Sequence, residues 1–262
     1  MQKERGPMMY NRRGLLLGAA ALGLSGCKVL DGANEKGSAL RGALESVSNL
    51  TYRAQRMMAG NRLAPEYAEA DIRQGQRPNG SVDPDGEEYL ALSEGGFAAY
   101  NLTVTGLVER PLSVSLGQLK AMASRTQITR HDCVEGWSCI AKWTGVPLSA
   151  VLNEAKPKLT ARFAVFHCYD ALERSLSGEV KYYESIDLID AYHPQTILAY
   201  GLNGADLPVA NGAPVRLRVE RQLGYKMAKY VHTIELVDSF AGYGLGKGSY
   251  WADRGYEWYA GI

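Results

Sequence analysis

Excess charge of either sign is what this sequence most plainly lacks. Its 262 residues carry 29 lysines and arginines against 28 aspartates and glutamates, a formal net charge of +1. Holding nucleic acid or an anionic membrane by general electrostatics needs a larger imbalance, so that class is excluded and any anion site must be local. Cysteine is scarce too. There are four, none in a Cys-x2-Cys pair, and His131, His167, His193 and His232 show no metal-ligand spacing, which leaves zinc and haem without a home. No apolar run reaches the about 20 residues of a membrane-spanning helix, and there is no internal repeat or low-complexity tract. What is present, 46% hydrophobic and 22% charged residues, is ordinary for a globular protein, long enough to bury roughly three quarters of its unfolded surface without a disulfide lattice.

The N-terminus reads as an address. Asn11, Arg12 and Arg13 precede the apolar stretch Gly14 to Gly26, and Leu24-Ser25-Gly26-Cys27 follows as a lipobox-like run. This predicts a twin-arginine-like signal with a lipobox over residues 1–27, export to the periplasm, and lipid on Cys27 as the membrane anchor. The alternative is a short apolar helix packed on the domain. With Cys27 lipidated, Cys133, Cys139 and Cys168 remain, an odd number in an oxidising compartment, so at least one thiol is unpaired.

Lys28 to Gly37 is small and polar, a tether; Leu40, Leu44, Val47 and Leu50 predict an amphipathic helix over Ser38 to Met58. The tether and N-terminal helix are assigned to 28–74 and the main domain to 75–262. Arg73 to Gly86 reads as a long loop that something must hold. Alternating runs predict strands over Asn101 to Val108, Gln127 to His131, Ala161 to Cys168, Thr196 to Tyr200, Val215 to Glu220 and Tyr230 to Val237. Short helices are expected over Leu116 to Ala123, Pro147 to Ala155 and Ser185 to Ala191. Strands outnumber helices in irregular order, which predicts an α+β fold with a mixed sheet, preceded by the N-terminal helix.

Two familiar motifs fail. Gly242 to Gly248 is one residue short of a P-loop, with no Ser or Thr after Lys247, and Gly136-Trp137-Ser138-Cys139-Ile140 lacks the last glycine of a nucleophile elbow. Chemistry concentrates instead in Thr129 to Leu148. There Cys133 ends a strand among titratable residues before a glycine turn, a position from which a thiolate can reach a cleft and bind a soft metal. The competing reading is a small buried hydrophobe.

In this segment Cys133-Val134-Glu135-Gly136-Trp137-Ser138 resembles the sulfite-oxidase-type molybdopterin-dependent oxidoreductases, and more closely their periplasmic branch with the methionine-sulfoxide reductase catalytic subunit. The resemblance continues through Trp143 to Leu148, His193-Pro194, Asn211 to Leu217 and Leu223 to Lys229, and covers roughly residues 75–262. It implies one molybdenum-molybdopterin cofactor per chain, without a nucleotide extension, and Cys133 as the protein's sulfur ligand to the metal. It places Asn79, Cys168, Asn211, Arg216, Met227, Ala228 and Lys229 at the cofactor, with Arg216 and Lys229 suited to its phosphate. On pattern alone Arg216 could equally be an exposed residue of a half-buried strand, as Arg218 is expected to be. Asn79 could belong to a plain Asn-Gly turn. Glu135 is the acid-base candidate, or a cap on the turn; Cys139 is expected in the core, and Trp137 and Trp143 as pocket wall or core.

The resemblance implies two-electron oxygen-atom transfer, with reduction of an S-oxide or N-oxide favoured. Asp132 departs from the basic surroundings that sulfite oxidases give an anionic substrate, so oxidation of sulfite or another small sulfur compound is the alternative. A cofactor-free binding protein on the same fold and a thiol-redox protein using Cys133 and Cys139 compete from other classes. Without a haem motif or a dimerisation domain, a monomer is expected, drawing electrons from a separate cytochrome or quinol-linked membrane subunit.

Overall fold

The computed structural model describes residues 47, 50–57, 60–175 and 178–262. The signal-like segment 1–27, the tether and most of the expected helix over Ser38 to Met58 lie outside them. The chain divides into two units, Met1–Gly60 and Asn61–Ile262. In the first, residues 50–57 are helical, as the leucine spacing predicts.

In the second unit the alternating runs form two sheets. The first has the order β2 (Leu112–Ser115), β1 (Asn101–Gly106), β10 (Val231–Val237), β5 (Phe163–Ser175), β6 (Gly178–Asp187). Its β1–β10 pair is parallel and the others antiparallel, so the sheet is mixed as expected. The second runs β3 (Arg125–Asp132), β4 (Ser138–Pro147), β7 (Thr196–Leu202), β8 (Ala205–Asp206), with β9 (Arg216–Val219) paired to the first half of β7 on the same edge as β8. Helices are few: α1 (Glu87–Glu94), α2 (Leu116–Ala121), α3 (Leu148–Ala155) and α4 (Leu188–Ala191). Ser115 caps α2 by accepting from Gln118 N, and α3 turns its buried Leu148, Val151, Leu152 and Ala155 to the core.

The main core joins both sheets: Leu102, Val104, Phe166, Ile234 and Leu236 from the first pack with Val146, Leu198, Leu217 and Val219 from the second. A smaller cluster of Ala141, Trp143, Ile197, Ala199, Leu202 and Leu207 lies on the opposite face of β4 and β7. This is why β7 is buried at every position rather than at alternate ones. Apolar cover on both faces favours an uninterrupted apolar run.

Three expectations change. Ser185 is not helical, because β6 continues to Asp187, whose side chain caps α4 by accepting from Asp190 N. The strand expected to end at Cys168 continues to Ser175, with register shifts between His167 and Ala171. Arg218 is not exposed: it is completely buried, as is Arg216 to within 1%. The alternation of β9 holds, but the face opposite its apolar residues is covered by Trp143, whose ring lies 5.0 Å from the Arg216 guanidinium and 4.3 Å from that of Arg218. Cys139 and Trp143 are buried as expected.

The β4–β7 contact is intolerant of a side chain at Gly145, where a Cβ would lie 2.2 Å from the Leu198 carbonyl oxygen. Gly145→Ala is expected to cost about 1–3 kcal/mol of stability in a urea titration; an unchanged midpoint would contradict this packing.

Candidate active site

The β3–β4 hairpin presents Cys133. After β3 the chain turns tightly: Cys133 N donates to the Trp137 carbonyl at 2.9 Å and Gly136 N to the Cys133 carbonyl at 3.0 Å, with Gly136 at φ +85°. Glycine adopts that left-handed conformation without strain. Cys133 is half-buried at a cleft of about 310 Å³, whose walls also include Asn79, Glu135, Met227 and Lys229. Five of the expected site residues, distant in sequence, therefore share one cavity.

Two buried cations adjoin the cleft, Lys229 in its wall and Arg216 behind it. Lys229 Nζ donates to the Asn79 carbonyl at 2.8 Å, the Ala210 carbonyl at 2.7 Å and the Ser81 carbonyl. All three ammonium protons thus tie loop 79–81 to the segment before Asn211, which explains how the long polar loop is held. Arg216 donates to the Asn211 carbonyl at 2.8 Å and to Asn79 Oδ1 at 3.2 Å. Asn79 in turn donates to the Gly224 carbonyl at 3.3 Å and Asn211 to the Gln76 carbonyl at 3.4 Å. Asn79 is therefore more than a turn residue. Met227 and Ala228 are buried on the connection that carries Lys229. Tyr230 follows at φ +55°, a left-handed conformation uncommon for a tyrosine, and donates to the Ser81 carbonyl at 3.0 Å.

Charge balance separates these two cations from their neighbours. Arg218 is paired with Glu220, Arg221 with Asp190 and Lys226 with Glu184, all buried. Neither Arg216 nor Lys229 has a carboxylate within ion-pair distance among the described residues, and Arg216 Nε is buried without a hydrogen-bond partner. Burial, with the charge of Arg218, lowers Arg216 to about 9; burial, with the charge of Arg216, lowers Lys229 to about 7. Glu220 and Asp170 offset these shifts only in part, and two buried cations without an ion-pair partner, Lys229 in the cleft wall and Arg216 behind it, suit a bound anion such as a phosphate. At the other end, burial and the charge of Glu135 raise the Cys133 thiol against the opposing Arg77. An unliganded Cys133 is thus a thiol, and a bound metal cation is what would hold it as thiolate. No cluster of three or more metal-ligating His, Cys, Asp or Glu residues exists among the described residues, so the protein's metal donor here would be one sulfur. One cleft-lining sulfur and two buried cations at or behind the wall are a donor set that fits a phosphate-bearing molybdopterin.

A sequence profile described as "Oxidoreductase molybdopterin binding domain" matches residues 91–242. The chain belongs to this molybdopterin-binding oxidoreductase family. It is 34% identical over 96% of its length to a putative protein-methionine-sulfoxide reductase subunit, YedZ1, of Azospira oryzae, and covers 86% of that protein. It is 39% identical to the protein-methionine-sulfoxide reductase catalytic subunit MsrP of Xanthomonas axonopodis pv. citri over 54% of this chain. The chain spans about half the length of that and the other MsrP relatives, 46% in this case. Among solved structures, the sulfane dehydrogenase SoxCD of Paracoccus pantotrophus overlays 54% of this chain and 39% of its own at a TM-score of 0.48 and 24% identity.

Within this molybdopterin-binding domain the remaining candidates divide. Glu135 is exposed at the cleft mouth, accepts from Trp137 Nε1 at 2.9 Å and faces Arg77 at 3.8 Å. Cys168 is buried on β5 and lines a second recess with His167 and His232 rather than the cleft. Cys133, Cys139 and Cys168 are all free thiols.

Sequence reasoning did not single out His131, Asp170 or the Glu184–Lys226 pair: His131 ends an expected strand, Asp170 and Glu184 lie outside the expected strands, and nothing in Leu223 to Lys229 shows that Lys226 is paired with a carboxylate 42 residues away. Burial and Arg218 keep His131 neutral, and its Nδ1 lies 2.9 Å from the Arg218 guanidinium, so the proton sits on Nε2. That nitrogen lies 2.3 Å from where a Cβ of Gly224 would be, which demands glycine there.

Two outcomes follow from this network. Lys229→Met should raise protease cleavage within residues 73–86 of cofactor-free protein by about tenfold or more, since three charge-assisted hydrogen bonds are lost; an unchanged rate would mean the loop is held otherwise. Burial raises Glu184 from 4.5 to about 7 despite Lys226. Its contribution to stability is complete below about 4.5 and is lost as pH rises toward 7. The urea midpoint of wild type relative to Glu184→Gln should therefore fall between those pH values, and parallel curves would contradict it.

Proposed function

We propose that the protein is an exported molybdenum enzyme that reduces S-oxides, or N-oxides, by two-electron oxygen-atom transfer. The observation that carries this reading is the pairing of one cleft-facing sulfur, Cys133, with two buried cations that lack carboxylate partners. Cys133 would bind the metal, while Arg216 and Lys229 take the phosphate of a single cofactor without nucleotide extension. Asn79 and Met227 in the cleft wall would border its body, with Asn211 and Ala228 behind them, whereas Cys168 faces the separate recess and could contribute only through its backbone. The bound cofactor supplies oxygen-atom transfer and stores the two electrons.

Reducing an S-oxide also consumes two protons and releases water. Glu135, exposed at the mouth and steadied by Trp137, would exchange protons between solvent and the cleft. Carboxylates of Glu135 and Asp170 lie in the cleft wall beside one cation, Lys229, which the cofactor phosphate would take up, so little positive charge is left for doubly charged sulfite and the wall suits a neutral S-oxide. The likeness to protein-methionine-sulfoxide reductase subunits supports the same direction of catalysis. Residues 75–262 would form the catalytic body, acting as a monomer. A twin-arginine signal and lipid on Cys27 would hold it at the periplasmic face of a membrane, fed by a separate cytochrome or quinol-linked subunit. No helix among the described residues is long and apolar enough to cross a membrane.

Turnover of a small sulfoxide with a reduced low-potential dye, on protein made in a molybdopterin-producing host, tests this reading. Wild type should turn over, and Cys133→Ser should lose about a thousandfold, equivalent to about 4 kcal/mol of transition-state stabilisation. Sulfite oxidation without sulfoxide reduction would reverse the assigned direction, and folded wild type without molybdenum would leave a binding protein. Full activity in Cys139→Ala is expected and would remove a thiol-redox mechanism.

A further inference from the structure

The ion pair of Glu184 and Lys226 plays no part in the chemistry assigned so far. Both side chains are completely buried, and a buried pair is no more stabilising than apolar residues of the same size. Its hydrogen bonds are uneven. Glu184 Oε1 accepts from Lys226 Nζ and, at 2.8 Å, from Ser185 N, and Lys226 donates also to the Ser185 carbonyl at 3.0 Å. Oε2 instead meets the Tyr182 hydroxyl at 3.4 Å. A proton on Glu184 therefore belongs on Oε2, facing that phenol.

Tyr182 leads from the pair to the cleft. It stands in the cleft wall and equally in the wall of the second recess, a cavity of about 390 Å³ that His167, Lys181 and His232 also line. Its hydroxyl donates to the Tyr225 carbonyl, and a hydroxyl proton rotates to suit its acceptors. The phenol can thus receive from Glu184 while donating elsewhere. Burial raises Glu184 to about 7 against the charge of Lys226, and lowers Lys226 in turn. Of the other titratable groups, Cys168, Tyr183 and Tyr225 face Glu184, Asp187 and Asp190 face Lys226, and Asp170 faces Tyr182. None of these six is a cation, so a carboxylate formed on Glu184 is held by Lys226.

We propose, on the reading that the protein reduces S-oxides, that Tyr182 and Glu184 relay a proton into the cleft from its inner side, a second route beside Glu135 at the mouth. The S-oxide takes up two electrons, from the reduced dye or electron-transfer partner, and two protons, and leaves as sulfide and water. A substrate seated in the mouth comes between solvent and the departing oxygen, so one proton needs an inner source. Tyr182 gives its hydroxyl proton to that oxygen as neutral Glu184 gives its own to Tyr182. The carboxylate left behind is held by Lys226 and Ser185 N, and solvent in the recess reprotonates it through Tyr182.

The test compares loaded wild type, Tyr182→Phe, Glu184→Gln and, as control, Glu154→Gln, exposed on α3. Turnover of a small sulfoxide with a reduced low-potential dye is followed against pH, with molybdenum content measured in each protein. Removing a proton donor should lower kcat about a hundredfold in Tyr182→Phe and Glu184→Gln, at wild-type molybdenum content and with KM unchanged, and Glu154→Gln should match wild type. Wild-type kcat should fall as pH rises past about 7, where Glu184 loses its proton, and that fall should be missing from both relay variants. A readout without turnover is the infrared band of a protonated buried carboxyl in cofactor-free protein. It should be lost through the same pH in wild type and Tyr182→Phe, and be missing from Glu184→Gln. Wild-type kcat in either relay variant, a loss of kcat matched by lost molybdenum, or a wild type without that band would overturn the relay while leaving the reductase reading intact. Molybdenum-loaded wild type that leaves the sulfoxide unreduced would overturn both.

Discussion

The uncompensated charge of Arg216 and Lys229 is the constraint around which this structure is organised. Burying a cation costs several kcal/mol unless a counter-charge or a full set of acceptors repays it. The same stretch of chain shows both solutions: Arg218, Arg221 and Lys226 have carboxylates, while Arg216 and Lys229 have carbonyl oxygens and one asparagine. Carbonyls satisfy hydrogen bonds without cancelling charge. The fold thus keeps two positive charges in a poorly hydrated place, where an incoming anion is attracted more strongly than at the surface.

Other features serve that arrangement. β10 is the central strand of the mixed sheet, and the turn leading into it, with Tyr230 in a left-handed conformation, carries Lys229. Trp143 and the Glu220–Arg218–His131 chain fill the space beside Arg216, so its guanidinium has little freedom. Loop 79–81, which has no regular secondary structure, is fixed by Lys229 and Tyr230 instead. A tight hairpin turn then sets Cys133 on the facing wall. Rigid elements thereby bring one soft donor, Cys133, and one cation, Lys229, to one cleft, with Arg216 hydrogen-bonded to Asn79 behind its wall.

Much of this was legible in the sequence, and the failures have physical causes. Strands β1, β3, β7, β9 and β10 follow from alternation or apolar runs. By contrast, the first half of β6 is exposed and charged (Gly178 to Lys181) and gives no strand signal, and β4 contains Gly145 and Pro147, which read as breakers. Helix α1 has one buried residue, Tyr89, hence little periodicity. The alternation in β9 was real, but a sequence cannot show that the opposite face would be covered by Trp143. Cys133, Asn79 and Lys229, singled out by the motifs around them, share the cleft wall, with Asn211 and Arg216 hydrogen-bonded to its loop from behind. The placing of Asp170 in the cleft wall was not legible, since it depends on a register shift and on Ser81, 89 residues away.

The account's central claim is that Cys133 and the buried cations receive the two ends of one molybdopterin. X-ray absorption at the molybdenum edge, on wild type and Cys133→Ser loaded in the same host, tests it most directly. The account predicts one protein sulfur beyond the dithiolene pair in wild type and its loss in the variant. Identical sulfur coordination in the two proteins would contradict it.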